Sequence, residues 1–214
     1  MIEKVGKQNN EVVNVQNALS ATAKQNGLDA KALQLPDCEL DPAKIRVVMI
    51  SEVPPKNPAD GFYSAAADAE YIRTARGLFE AGGAPVQNIG DILAKGVYIT
   101  TAVKTPKDGY TVDPGVIKAH LPLLETELDL FPNARVVMLM GDVAKKAFNM
   151  IAKARTKKNA IPSGSTCGLR HKEFFWNGVR VFPSYIMTGK NLLIEPFKRD
   201  CVAEDIRRMF EFLK

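Results

Sequence analysis

The chain has 214 residues, enough for one medium-sized domain with a sizeable core, and its 46% apolar and 25% charged side chains are the balance of a globular protein. No run reaches the roughly 18 apolar residues of a membrane span, and the polar opening MIEKVGKQNNEVV lacks a signal-peptide core, so an intracellular, cytoplasmic protein without a membrane partner is expected. The net charge of +5 is divided unevenly: residues 1–141 hold 14 Lys/Arg against 17 Asp/Glu, a net of −3, while residues 142–214 hold 15 against 7, a net of +8. A basic C-terminal third is either a phosphate-facing surface or a solvated basic face.

In chain order, apolar Val12, Val15, Leu19 and Ala23 recur at helical spacing, which predicts a helix over 10–27 that stops at Asn26-Gly27. Pro36 and Pro42 make 28–44 a loop that wraps the domain. The run IRVVMI over 45–50 fits a parallel strand covered on both faces. A Pro/Gly loop over 51–64 leads to a helix over 65–81. A second strand covers 97–103, and Asp113-Pro114 is a strong N-terminal signal for the helix that follows. The run RVVMLM predicts a third strand over 135–140, then Gly141-Asp142 turns into a helix over 143–155. Asn177-Gly178 predicts a hairpin whose second arm is the fourth central strand. The last helix covers 199–213.

Strands alternating with helices predict a three-layer α/β/α sandwich with a four-stranded, mainly parallel sheet. Residues 1–44 form an N-terminal helix and wrap, and residues 45–214 a single compact unit. In such sheets ligands bind beyond the carboxyl ends of the strands, so the loops after Ile50, Val103, Met140 and Pro183 are expected to converge on one cleft.

Those four loops carry the phrases MISEVPPKNPADGFY, VYITTAVKTP, MLMGDVAKKAF and PSYIMTGKN. In this order they resemble the motifs of the uracil-DNA glycosylase superfamily over about residues 45–212. The first phrase is most similar to the branch that carries an iron–sulfur cluster. The resemblance implies that fold, DNA as partner, and hydrolysis of the N-glycosidic bond of a base flipped out of the stack. It implies Glu52 as the carboxylate that positions water or steadies a cationic sugar. Phe62 or Tyr63 would stack the base. Thr101, Ser184, Thr188 and Asn191 would complete the base site. Lys104, Lys157, Lys158, Arg170 and Lys190 would meet the nucleic-acid backbone, and Met187, Leu192 and Leu193 would wedge into a duplex.

The motifs are incomplete. Thr101 stands where the family reads the base with Asn, and Ile186 where a His steadies the leaving base. Thr105 and His120 stand at two of the four cluster cysteines, so no iron–sulfur cluster, metal or other cofactor is expected. Three scattered cysteines, Cys38, Cys167 and Cys201, predict no disulfide. His120, inside a helix, reads as structural, while His171 is either a phosphate contact or a surface residue. Two functions stay open: a divergent glycosylase, or a catalytically inactive protein that binds nucleic acid or a base on the same fold.

Overall fold

The computed structural model describes residues 12–109, 111–188 and 195–214. Lys190 and Asn191, with Leu192 and Leu193, lie outside the described residues.

Four apolar runs become parallel strands. β3 (Val47–Ser51), β4 (Val97–Thr101) and β5 (Val136–Met140) are buried at every position. β7 (Val179–Ser184) is buried from Arg180 onward. The order across the sheet is β4-β3-β5-β7-β6, with the first four strands parallel. The expected strand count of four is corrected to five. The first arm of the hairpin, β6 (Phe174–Trp176), pairs antiparallel with β7 and forms the edge. Asn177 (φ 49°) and Gly178 (φ 81°) both take the left-handed backbone that a two-residue turn of this kind requires.

Alternation along the strands divides the core. Val48 and Ile50 point into one cluster with residues of α1 (Val15–Gln25), α4 (Pro114–Leu130) and α5 (Asp142–Thr156). Val47 and Met49 point into the other, with α2 (Glu70–Ala81), the short α3 (Ile89–Ala94) and α7 (Pro196–Phe212). Helices thus flank the sheet on both faces, in keeping with a three-layer sandwich. A single turn of helix, α6 (Thr166–Leu169), precedes the hairpin.

The N-terminal segment joins the first core. Val15, Leu19 and Ala23 are fully buried in it, and Thr22 meets Thr126 of α4 at 3.0 Å. Ahead of α1, β1 (Val13–Asn14) pairs antiparallel with β2 (Glu39–Leu40) of the wrap. Asp113 caps α4 by accepting from the Gly115 N–H at 2.7 Å, as its sequence position predicts. Helix α2 starts at Glu70 rather than 65, and α7 at Pro196 rather than 199. Among the described residues, no helix is long and apolar enough to cross a membrane.

Candidate functional site at the carboxyl ends of the strands

Glu52 directly follows β3. Its side chain is 8% exposed and both of its oxygens are engaged. Oε1 accepts from the Val143 backbone N–H at 3.1 Å, and Oε2 from Lys107 Nζ at 2.9 Å. Val143 sits in the first turn of α5, whose N–H groups have no partner within the helix. The N-cap position is Gly141, which offers no side chain to them. Glu52 therefore caps α5 from a neighbouring strand, at the end where the helix dipole favours an anion.

Gly141 makes this possible. Its φ of 98° suits glycine, and a Cβ there would fall 2.6 Å from Glu52 Oε1 and 2.6 Å from Ile186 Cγ1.

Two cavities open at this end of the sheet, and they share no lining residue. The larger, ≈ 490 Å³, lies by β3 and β4 and is lined by Phe62, Tyr63, Tyr71, Thr101 and the Pro54-Pro55 turn, among others. Its far wall is residues 31–36 of the N-terminal wrap. The smaller, ≈ 320 Å³, is lined by Glu52, Asp142, Cys167, Tyr185, Ile186 and Lys198, among others. Phe62, Tyr63 and Thr101 line the larger and Glu52 the smaller, and the Glu52–Lys107 pair joins the loops after β3 and β4 between them.

Within the larger chamber, Phe62 is 5% exposed and packs edge-on against Tyr71, with ring centroids 5.1 Å apart. Tyr63 donates its hydroxyl to the Ile99 carbonyl at 2.7 Å, which ties the loop to β4. Burial raises the Tyr71 hydroxyl above its ordinary value, against a hydrogen bond with Thr188. Thr188 is buried and bonded to Tyr71, a lining residue of this chamber. The Ser51 hydroxyl, beside Thr101 in register, is buried with no partner among the described residues.

Beneath this chamber lies a buried ion pair. Lys104 and Glu127 have 0% exposed side chains and meet at 2.6 Å. Lys104 Nζ also donates to Thr100 Oγ1 (2.6 Å) and to the Thr101 carbonyl (2.8 Å), so all three of its protons are used. Glu127 Oε1 accepts from Tyr98 (2.8 Å) and Thr100 (2.6 Å). Burial lowers the Lys104 pKa, while Glu127 acts against that shift. The expectation that Lys104 meets phosphate is corrected: it has no surface to offer and anchors the end of β4 instead. His120 accepts the Lys104 backbone N–H through Nδ1 at 3.1 Å, and burial with the nearby Lys104 charge lowers its pKa. Its role is structural, as read from the sequence.

A second buried network lies at the same end of the sheet, toward the β7 side. Arg170, 4% exposed, binds Asp205 of α7 through Nη2 (2.9 Å) and Nε (3.3 Å), and Glu204 at 2.8 Å. Ser184 donates to Asp205 Oδ2 at 2.8 Å. Ser184 and Arg170, expected at base and phosphate, are therefore brought together, but to fasten α7 to β7 and α6. Burial raises Asp205 above the usual carboxylate range, against those two partners. His171 is exposed and faces the guanidinium groups of Arg170 and Arg208.

Lys157 and Lys158 are exposed, but Lys157 is the C-cap of α5, whose N-terminus is at the site. Fifteen helical residues span about 22 Å, so both lysines lie toward the opposite end of the sheet. Six basic residues of the C-terminal third, Lys145, Arg155, Arg170, Lys198, Arg207 and Arg208, are held in ion pairs. Five of the six pair with acids of the same region, which the +8 already counts, and Arg155 alone of the six pairs outside it, with Glu125 and Asp129.

Asp205 and Glu127 were legible and missed. Each interrupts an apolar helical stripe: Val202, Ile206 and Met209 around one, Ile117, Leu123 and Leu124 around the other. An acid inside such a stripe marks a buried cationic partner. Among the described residues, no group of three or more His, Cys, Asp or Glu could hold a metal ion. The three cysteines are free thiols, and burial pushes Cys38 up to about 12. No protein-family model matches this sequence, and no curated protein matches it either.

Proposed function

We propose that this chain is a uracil-DNA glycosylase-like protein that binds a nucleobase carried on DNA, with at most residual cleavage of the N-glycosidic bond. One observation carries the reading. Phe62, Tyr63 and Thr101, three side chains whose motif positions correspond to base recognition, border a single cavity beyond the carboxyl ends of β3 and β4.

Cleavage asks for more than a base pocket. Water must attack the anomeric carbon, the carbon–nitrogen bond must break, and the base must leave with the electron pair. Glu52 is a carboxylate suited to steadying a cationic sugar or holding that water. Its oxygens, however, are committed to Val143 and Lys107, and it borders the neighbouring cavity. The departing base needs a donor, and the corresponding position is Ile186, which has none. Loss of one donor aimed at developing charge costs on the order of 10²–10³ in rate. Ile186 also favours the second reading, a non-catalytic binding protein on the same fold.

The test pairs binding with cleavage on single- and double-stranded DNA carrying uracil or hypoxanthine. The expected result is measurable binding, weakened by salt, with slow or no excision. Thr101→Asn combined with Ile186→His is expected to raise any excision. Excision by the unaltered protein that is undiminished in Glu52→Ala would refute the assignment of Glu52. Inactivity of both the unaltered and the restored protein, with binding retained, would establish the non-catalytic reading.

A further inference from the structure

We propose that the larger cavity is a pocket for a free nucleoside or nucleoside 5′-monophosphate, and that residues 31–36 are the wall that makes it one. The inference rests on reading that cavity as a nucleobase site, and it narrows the ligand from a base on DNA to a small molecule.

The wall comes from the N-terminal wrap, outside the part of the chain that resembles the glycosylases. Gln34 fastens it at two points. Its side-chain Nε2 donates to the Pro55 carbonyl at 2.8 Å, and its backbone N–H to the Lys104 carbonyl at 2.8 Å. The first bond joins the wall to the loop that carries Phe62 and Tyr63. The second joins it to the loop after β4, three residues beyond Thr101. Lys104 is itself immobilised by Glu127 and Thr100, so the wall is anchored to a fully buried polar cluster. A segment tied to both loops encloses the space between them. The resulting volume, ≈ 490 Å³, lies within the range of about 300–1,000 Å³ typical of small-molecule sites.

The lining selects the chemistry. Prolines and the rings of Tyr63 and Tyr71 offer flat apolar surface to a planar heterocycle. Gln16, Gln34 and Thr101 supply amide and hydroxyl groups, and a neutral amide can meet both donors and acceptors on a base edge. Among the described residues no Asp or Glu lines the cavity, and the one Lys that does, Lys31, is exposed at the wall. A cation without a neighbouring acid in the lining suits a phosphate on the outward end of the ligand. A base within a duplex would have to bring its sugar and both flanking phosphates past that same wall.

The test is calorimetric titration of the full-length protein with uridine, thymidine, adenosine and guanosine, with their 5′-monophosphates, and with a short uracil-bearing single strand. Saturable one-to-one binding of at least one nucleoside is expected, tighter for its monophosphate. Ala32→Trp places a large ring on an exposed position of the wall and is expected to weaken that binding by at least about tenfold. Lys31→Ala, at a second exposed position, is expected to erase the preference for the monophosphate while the nucleoside still binds. Binding of the single strand without binding of any nucleoside would overturn the inference and leave the base-site reading standing. So would nucleoside binding indifferent to Ala32→Trp in a folded variant. Failure of every base-bearing ligand to bind would overturn the base-site reading itself.

Discussion

The two cavities at the carboxyl end of the sheet differ in how they are built. The larger is walled by aromatic rings, prolines and neutral polar groups with Lys31 at its outer wall, and the Lys104–Glu127 pair is buried one layer below. The smaller carries its charges on the lining itself, with Glu52, Asp142 and Lys198 around the N-terminus of α5. Strand order explains the division. The rings follow β3 and reach toward β4, whereas Glu52 bridges the loops after β4 and β5 through Lys107 and Val143. A flat heterocycle fits the first chamber, with Lys31 at its outer wall for a phosphate, and a charged group fits the second. A protein that merely binds a base needs only the first, and one that cleaves it needs both to act on the same molecule.

The sharpest way to break this comparison is to expose the charge hidden beneath the larger chamber. Lys104→Met removes the ammonium and leaves the Glu127 carboxylate fully buried without its counter-ion. Breaking a buried pair from one side costs about 3–5 kcal/mol, so a large drop in the unfolding midpoint is expected in chemical denaturation. Adding Glu127→Leu removes the orphaned charge and is expected to recover much of the stability, because an apolar pair of similar size can replace a buried ion pair. The double variant should still bind base-bearing ligands poorly, since Thr101 loses the bond that fixes its carbonyl. Full recovery of both properties would show that the pair holds the fold and nothing more.

A smaller effect is expected at the other chamber. Glu52→Ala removes a charge-assisted bond to Val143 and the pair with Lys107. Hydrogen bonds to charged groups contribute about 1.5–3 kcal/mol, and the loss should appear as early fraying of α5 in hydrogen exchange. Gly141→Ala should produce the same fraying with Glu52 still present, because the added methyl group collides with Glu52 and Ile186. Ligand binding in the larger chamber should survive both changes if the chambers are independent, and fail with them if Glu52 also shapes the base site.

The sequence made the layers legible because strand and helix periodicities report burial directly. IRVVMI, VYITTAV and RVVMLM read as covered strands, and Val47–Ser51, Val97–Thr101 and Val136–Met140 within or beside them are covered strands. The edge strand β6 was visible as half of a hairpin, but its place in the sheet depends on pairing between distant residues, which a local pattern does not specify. Position in the chain also put Glu52 and Thr101 at the right end of the sheet. It could not show that they face different chambers, since that depends on which neighbour each side chain leans toward. Basic residues were the least legible. Lys104 and Arg170 look like surface cations, and only Glu127 and Asp205, far along the chain, make their burial tolerable.

The floor of the larger chamber also predicts a modest pH effect. His120 must keep Nδ1 unprotonated to accept the Lys104 N–H, and its folded pKa lies below the ordinary 6.5. In the window below 6.5 the unfolded chain therefore binds more protons than the folded one, and stability falls as pH falls. The decline is expected to begin near pH 6.5 in urea melts and to flatten in His120→Gln, whose amide oxygen can still accept. A profile identical in the two proteins would assign the acid sensitivity to carboxylates elsewhere.

The smallest expected effect is at Lys157 and Lys158, and it bears on where DNA would lie. Each phosphate contact neutralised by a cation steepens the dependence of affinity on salt, by about 0.9 in the logarithmic slope for duplex DNA. If DNA meets the carboxyl end of the sheet, the cations of the smaller chamber are within its reach. Lys198 borders that chamber beside Tyr185, and Lys145 is held there against Asp142 and Thr166. Lys157 and Lys158, about 22 Å along α5, would contribute nothing. The double variant Lys157→Ala, Lys158→Ala should leave the slope unchanged, while Lys198→Ala should lower it by about one contact. The reverse outcome would put DNA on the far side of the domain, away from both chambers, and would detach nucleic-acid binding from base recognition altogether.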